Sequence, residues 1–119
     1  MPTTPQAYTT RTFEFACQIV KLYRQLNKIR DFPFPISRQL LRSGTAIGAI
    51  VEEAKIASSR RDLAAKFVLA LREARETKYW IRLILATDLA PASILRDALK
   101  ESDELTAILR RTVQRLRAG

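Results

Sequence analysis

The chain contains no histidine and a single cysteine among 119 residues. The missing histidine removes the commonest general base and the commonest transition-metal ligand. With Cys17 alone there is no internal disulfide, and zinc and iron–sulfur sites lose their usual ligands. Cys17 lies inside an apolar helical pattern, so it is expected as a small buried hydrophobe rather than a reactive thiol. Glycine is scarce at 3 and proline at 5, too few for the many tight turns of an all-β protein of this size. Gly44 and Gly48 lie within a helical pattern with no Gly-Lys-Ser/Thr after them, so no phosphate-binding loop is present. No run approaches the roughly 18 uninterrupted apolar residues of a membrane span. Residues 1–10 lack the charged start and apolar run of a signal peptide, and the expected location is the cytoplasm, with no membrane partner. No catalytic residue, cofactor or metal is expected, and the chain reads as a non-enzyme.

What is present is helical periodicity and positive charge. Apolar residues make up 47% of the chain, ordinary for a folded protein. After a flexible lead-in over 1–10, residues 11–119 read as one domain. A first helix is expected over about 12–30: Phe15, Ile19, Leu22, Leu26 and Ile29 form one apolar row, and Phe13, Ala16, Val20 and Tyr23 a second, enough to touch two neighbours. Asp31-Phe32-Pro33-Phe34-Pro35 ends it in a turn with two aromatic plugs. A second helix is expected over about 36–57. Its middle is small, and glycine inside a helix costs about 1 kcal/mol relative to alanine. Gly44 and Gly48 therefore mark the close approach of another backbone, within the bundle or between subunits. Ser59 and Asp62 resemble a capping box opening a third helix over about 60–87. Asp88-Leu89-Ala90-Pro91 separates it from a fourth, ending near Arg117. The three connections are short, so consecutive helices run antiparallel. The expected fold is all-α, an up-down-up-down four-helix bundle.

Lys and Arg number 21 against 12 Asp and Glu, a net charge of +9. An excess of this size favours polyanions, meaning RNA, DNA or an acidic protein surface. The expected topology gathers the first helix start, second helix end, third helix start and fourth helix end at one pole. Arg11, Lys55, Arg60 and Arg61 meet Arg110, Arg111, Arg115 and Arg117 there, partly opposed by Glu14, Glu52, Glu53 and Asp62. Ser58, Ser59 and Arg60 are the expected phosphate contact, because a helix start offers free N–H groups. A plain explanation also exists: arginines at the end of the last helix suit its dipole. Glu73 and Glu76 share a helix face, and Arg72–Glu76 is an i,i+4 pair, read as part of a surface or interface ion-pair network. Tyr79 is expected to point outward and Trp80 to border the core. Stacking on a nucleobase and packing against a neighbouring helix or subunit are both open to these aromatics.

Three stretches resemble a known bacterial family. They are Leu40–Ala54, which contains Gly44-Thr45-Ala46-Ile47-Gly48, then Ser59–Phe67, and then Ala70–Leu83, which contains Glu73-Ala74-Arg75-Glu76-Thr77-Lys78-Tyr79-Trp80. Together they are similar to the bundle proteins named after the 23S rRNA intervening sequence, and the likeness extends over about 13–116. The resemblance implies a four-helix bundle that assembles into homopentameric rings, with no catalytic residues to carry over. The family name records a gene location rather than an activity. A distantly similar bundle is the basic accessory protein of a reverse transcriptase, so a scaffold or accessory subunit with no direct nucleic-acid role is the alternative to RNA or DNA binding. The chain departs from the family at Ile50-Val51, where relatives commonly carry asparagine, and a polar contact is expected to be missing there.

Overall fold

The computed structural model describes residues 6–118. Four helices follow one another: α1 Gln6–Asn27, α2 Phe34–Ala54, α3 Arg60–Ala86 and α4 Ala92–Ala118. They form a rod of 49 × 21 × 20 Å. Cross-helix partners show the antiparallel order. On α1 and α2, Ile19 faces Gly44 while Thr12 faces Gly48. On α2 and α3, Arg42 pairs with Glu76 while Glu53 pairs with Lys66. On α3 and α4, Arg60 meets Leu116 while Lys78 meets Asp103. In each case one residue number rises as its partner's falls, which describes an up-down-up-down bundle. No helix is long and apolar enough to cross a membrane among the described residues.

The first rows of the sequence pattern form the core. Phe15, Ile19, Leu22 and Leu26 from α1 meet Leu40, Ile47 and Val51 from α2, Phe67, Ile81 and Ile84 from α3, and Leu95, Leu105 and Leu109 from α4. The second row of α1 is only partly covered. Ala16, Val20 and Tyr23 are half-buried, and Phe13 is 67% exposed. Cys17 is exposed on this same outer side, correcting the expectation of burial. It sits two residues from both Phe15 and Ile19, which turns it away from the row that packs inward.

The start of α1 also corrects the expected lead-in over 1–10. Residues 1–5 lie outside the described residues, but 6–10 are helical. Tyr8 explains why: it is 4% exposed, its ring meets Phe67 edge-on at 5.4 Å, and its hydroxyl bonds the Thr112 hydroxyl at 2.7 Å. Burying a tyrosine with its hydroxyl satisfied stabilises the extra turn and a half.

The connections follow from local chemistry. α1 stops three residues before the expected end, in tight turns in which Lys28, Ile29 and Phe32 donate to carbonyls three residues back. Asp31 takes the left-handed conformation, φ 60°. Pro33 caps α2 and Pro35 falls in its first turn, where the missing N–H has no helical partner anyway. Of the two expected aromatic plugs, Phe32 packs on the core while Phe34 is half exposed beneath the Arg38 guanidinium. α3 ends in a Schellman motif. Leu89 N–H donates to Ile84 O, Asp88 N–H to Leu85 O, and Asp88 carries φ 56° where glycine is usual.

Candidate nucleic-acid interface

The start of α3 and the end of α4 close one pole of the rod. Arg60 staples them: its Nε donates to Leu116 O at 3.1 Å and its Nη2 to Arg115 O at 3.1 Å. These are main-chain carbonyls of the last helical turn, which have no partner within the helix. Beside the staple lies a groove of ≈ 550 Å³ lined by Arg60, Arg61, Ala64, Ala65, Leu116 and Arg117. Arg61 and Arg117 are exposed and make no ion pair with another described residue. The groove therefore has a fixed wall of alanines and leucine and two uncommitted guanidinium groups.

The other expected members of the pole divide. Arg11 is held by α4: Nε to Glu101 at 2.8 Å, Nη2 to Glu101 at 2.9 Å and Nη2 to Glu104 at 3.0 Å. The Arg11 hydrogen bond holds the Glu101 carboxyl below its ordinary value. Lys55 pairs with Glu52 at 2.8 Å. Ser58 and Ser59 are also committed. The Ser58 N–H donates to Asp62 Oδ2 at 2.9 Å, and the Ser59 hydroxyl accepts from the Asp62 N–H at 3.0 Å. The helix start that was expected to receive a phosphate already holds a carboxylate of its own. On α4, Arg110 and Arg117 are seven residues apart and share the edge next to α3. Arg111 and Arg115 fall on the α1 side, where Arg111 lines a smaller hollow with Arg11 and Glu104. The expected cluster thus splits between two seams, with Arg61, Arg110 and Arg117 along α3–α4 and Arg111 beside Arg11 on the α1 side.

A second polar constellation joins α2 to α3. Arg42 donates to Glu73 at 3.2 Å and to Glu76. Trp80 Nε1 donates to the same Glu76 oxygen at 3.0 Å. The Trp80 hydrogen bond, with Arg42 beside it, lowers the Glu76 carboxyl from its ordinary 4.5 against the opposing effect of desolvation. Beneath them Thr77 donates to Ser43 Oγ at 2.9 Å in the buried core. The expected Arg72–Glu76 pair does not form, because Glu76 points to the α2 edge and Arg72 to the outside. Tyr79 is 54% exposed and lies edge-to-face with Trp80, ring centres 5.1 Å apart. Gly44 and Gly48 answer the question of close approach: a Cβ on Gly44 would stand 2.7 Å from Ile19 Cγ1, and one on Gly48 3.1 Å from Thr12 O. Both contacts are between α1 and α2 of one chain. Outside Gly48, an apolar hollow of ≈ 400 Å³ opens between Phe13, Ala16, Thr45, Ala49 and Glu52.

Arg42 was missed as a key residue, since its partners lie 31 and 34 positions away and no local spacing reveals them. Arg72, Arg75 and Arg82 were missed as one row with Arg61. There the signal existed, as helical spacing on the face opposite the core. Among the described residues no group of three or more Asp, Glu, His or Cys side chains is placed to hold a metal ion.

Comparison with known proteins gives the lineage of this arrangement. The crystal structure of a protein of unknown function from the S23 ribosomal protein family of Bacteroides thetaiotaomicron superposes with a TM-score of 0.81 at 37% identity, covering 88% of this chain and 96% of that one. No curated protein matches the chain. The family described as 23S rRNA-intervening sequence protein matches residues 7–111, nearly the full length of the four helices. The bundle, its antiparallel order and this match agree, and the chain belongs to the 23S rRNA-intervening sequence protein family.

Proposed function

We propose that the protein is a non-enzymatic, oligomeric helical module of the cytoplasm that holds RNA or DNA on a basic surface. One observation carries the reading: the α3–α4 groove is lined by Arg61 and Arg117, neither of which pairs with a carboxylate among the described residues, while most described acids are engaged elsewhere. Arg60 spends its donors on the α4 carbonyls and so fixes the groove's shape. Guanidinium groups on a rigid wall suit phosphate oxygens, which accept two parallel hydrogen bonds. The absence of histidine and the isolation of Cys17 support a binding role over chemistry. A mobility-shift titration at low salt with structured RNA and DNA tests the proposal. Binding that weakens steeply as salt rises is the expected result. No shift with either polymer at low salt ends it.

The oligomer is part of the same proposal. The hollow beside Gly48 and Phe13, 67% exposed, leave an apolar face on α1 and α2, with Ile56, 86% exposed, in the turn that follows α2. That is the face a second copy would cover, and a homopentamer is the assembly the family resemblance favours. Light scattering at micromolar concentration reports the mass, and a monomer there removes the assembly.

A further inference from the structure

The outer surface of α3 carries a row at alternating spacings of three and four residues. Arg61, Arg72, Arg75, Tyr79 and Arg82 all lie on it, and all are exposed. The acids of α3 are elsewhere: the Asp62 carboxylate accepts from the Ser58 N–H just before the helix, and Glu73 and Glu76 turn to Arg42. The neighbouring edge of α4 repeats the arrangement with Arg96, Lys100, Arg110 and Arg117. Its one acid, Asp103, is matched by Lys78 of α3 at 2.7 Å. Glu101 and Glu104 face the opposite seam, where they hold Arg11. The two rows flank a single seam, since Arg61 and Arg117 share the groove at one end. Eight bases along this face make no ion pair with a described residue. They account for nearly all of the net charge of +9, so the rest of the molecule is close to neutral.

The band has direction and an end. Arg61 and Tyr79 are 18 positions apart, about 27 Å along the helix. At the far end Tyr79, Arg82, Leu83 and Ala86 line a hollow of ≈ 260 Å³, with an apolar floor, an aromatic ring and a guanidinium. The ring leans on its chain neighbour. Trp80 supports it edge-on, and Trp80 is itself tied to Glu76 and through it to Arg42. An exposed, supported aromatic beside an arginine offers a stacking surface to a flat base. A base inside a duplex has no free face, whereas a single strand presents one at every nucleotide.

We propose that the α3–α4 face binds single-stranded nucleic acid, the two basic rows following its phosphates and the Tyr79–Arg82 hollow receiving one unstacked base. This rests on the reading of the protein as a nucleic-acid-binding module and narrows it to one face and one form of the polymer.

The test uses the full chain and two fluorescent probes of equal length, roughly 12 nucleotides, one a single-stranded RNA and the other its blunt duplex. Tyr79→Ala, Tyr79→Phe and wild type are compared by anisotropy, after thermal melts show that each variant folds. The wild type is expected to prefer the single strand. Tyr79→Ala should weaken single-strand binding about 5- to 100-fold and leave duplex binding and the salt dependence unchanged. Tyr79→Phe should keep the affinity, because stacking needs the ring and not the hydroxyl. The chain has one tryptophan, so single strands should also change Trp80 emission. Equal binding of both probes, or a Tyr79→Ala variant that binds like wild type, overturns the proposal while leaving nucleic-acid binding intact. A Tyr79→Ala variant whose only change is a smaller assembly by light scattering also overturns it, assigning the face to protein contact. Failure of wild type to bind either probe instead removes the broader function.

Discussion

Gly44 and Gly48 set how near α1 lies to α2. A methyl group on Gly44 would come within 2.8 Å of both Ile19 γ-carbons, and Ile19 is fully buried. The overlap should cost about 1–3 kcal/mol against the roughly 1 kcal/mol that alanine gains in helix propensity, so Gly44→Ala should lower stability by up to about 2 kcal/mol. The shift of the urea midpoint measures it. Asp88 presents the opposite case. It holds φ 56° at the end of α3, a conformation that costs a side chain about 1–2 kcal/mol and glycine little. Asp88→Gly should stabilise the protein by about 0.5 kcal/mol after the extra freedom of glycine in the unfolded chain is counted, and the same midpoint reports it. Gly44 is uncharged and packed between α1 and α2, so nucleic-acid affinity should stay the same in Gly44→Ala.

Pairs of helices are held by polar joints as well as by the core. Arg42, Glu73, Glu76 and Trp80 tie α2 to α3, and Glu76 titrates below its ordinary 4.5 because Trp80 and Arg42 favour its charged form. A carboxyl depressed in the folded state binds its proton more weakly there than in the unfolded chain. Its stabilising effect is complete above about pH 4.5 and is lost as pH falls through the depressed value. Glu101, held by Arg11 between α1 and α4, acts in the same sense. Glu76→Gln should therefore flatten the acid limb of stability measured by urea denaturation across this range. At the α3–α4 end, Arg60→Ala removes two bonds to the carbonyls of Arg115 and Leu116. A loss of about 1 kcal/mol is expected, with faster amide hydrogen exchange confined to the last turn of α4.

Across the whole molecule, charge is distributed unevenly around a rod 49 Å long. Glu52 and Glu53, and the pairs Glu73–Glu76 and Glu101–Glu104, are spent within the bundle or at its other seams. The α3–α4 face keeps its bases. Reversing Arg61 and Arg117 together, Arg61→Glu with Arg117→Glu, should reduce the slope of log affinity against log salt by about 2. Circular dichroism should show an unchanged helix content, since neither side chain has a described ion-pair partner. On the opposite side, Phe13→Glu would place a charge on the exposed apolar face of α1 and α2. If that face joins copies, the mass by light scattering should fall and the melting of the isolated chain should hardly change.

Helix count, helix order and most of the core were legible along the chain. Phe15, Ile19, Leu22 and Leu26 recur at helical spacing, Pro33 and Pro91 interrupt it, and short turns leave consecutive helices no choice but to run antiparallel. These are local consequences of periodicity and of where the backbone can bend. The packed bundle alone decided which charges remained available. Arg11 meets Glu101 and Arg42 meets Glu76 because of the register between neighbouring helices, and spacing within one helix carries no information about that register. The same applies to Tyr8, whose burial depends on Phe67 and Thr112 far along the chain, and to Cys17, which the packing left outside. An arginine's sequence neighbours show that it is charged. Only the helix packed against it determines whether that charge faces a carboxylate or water.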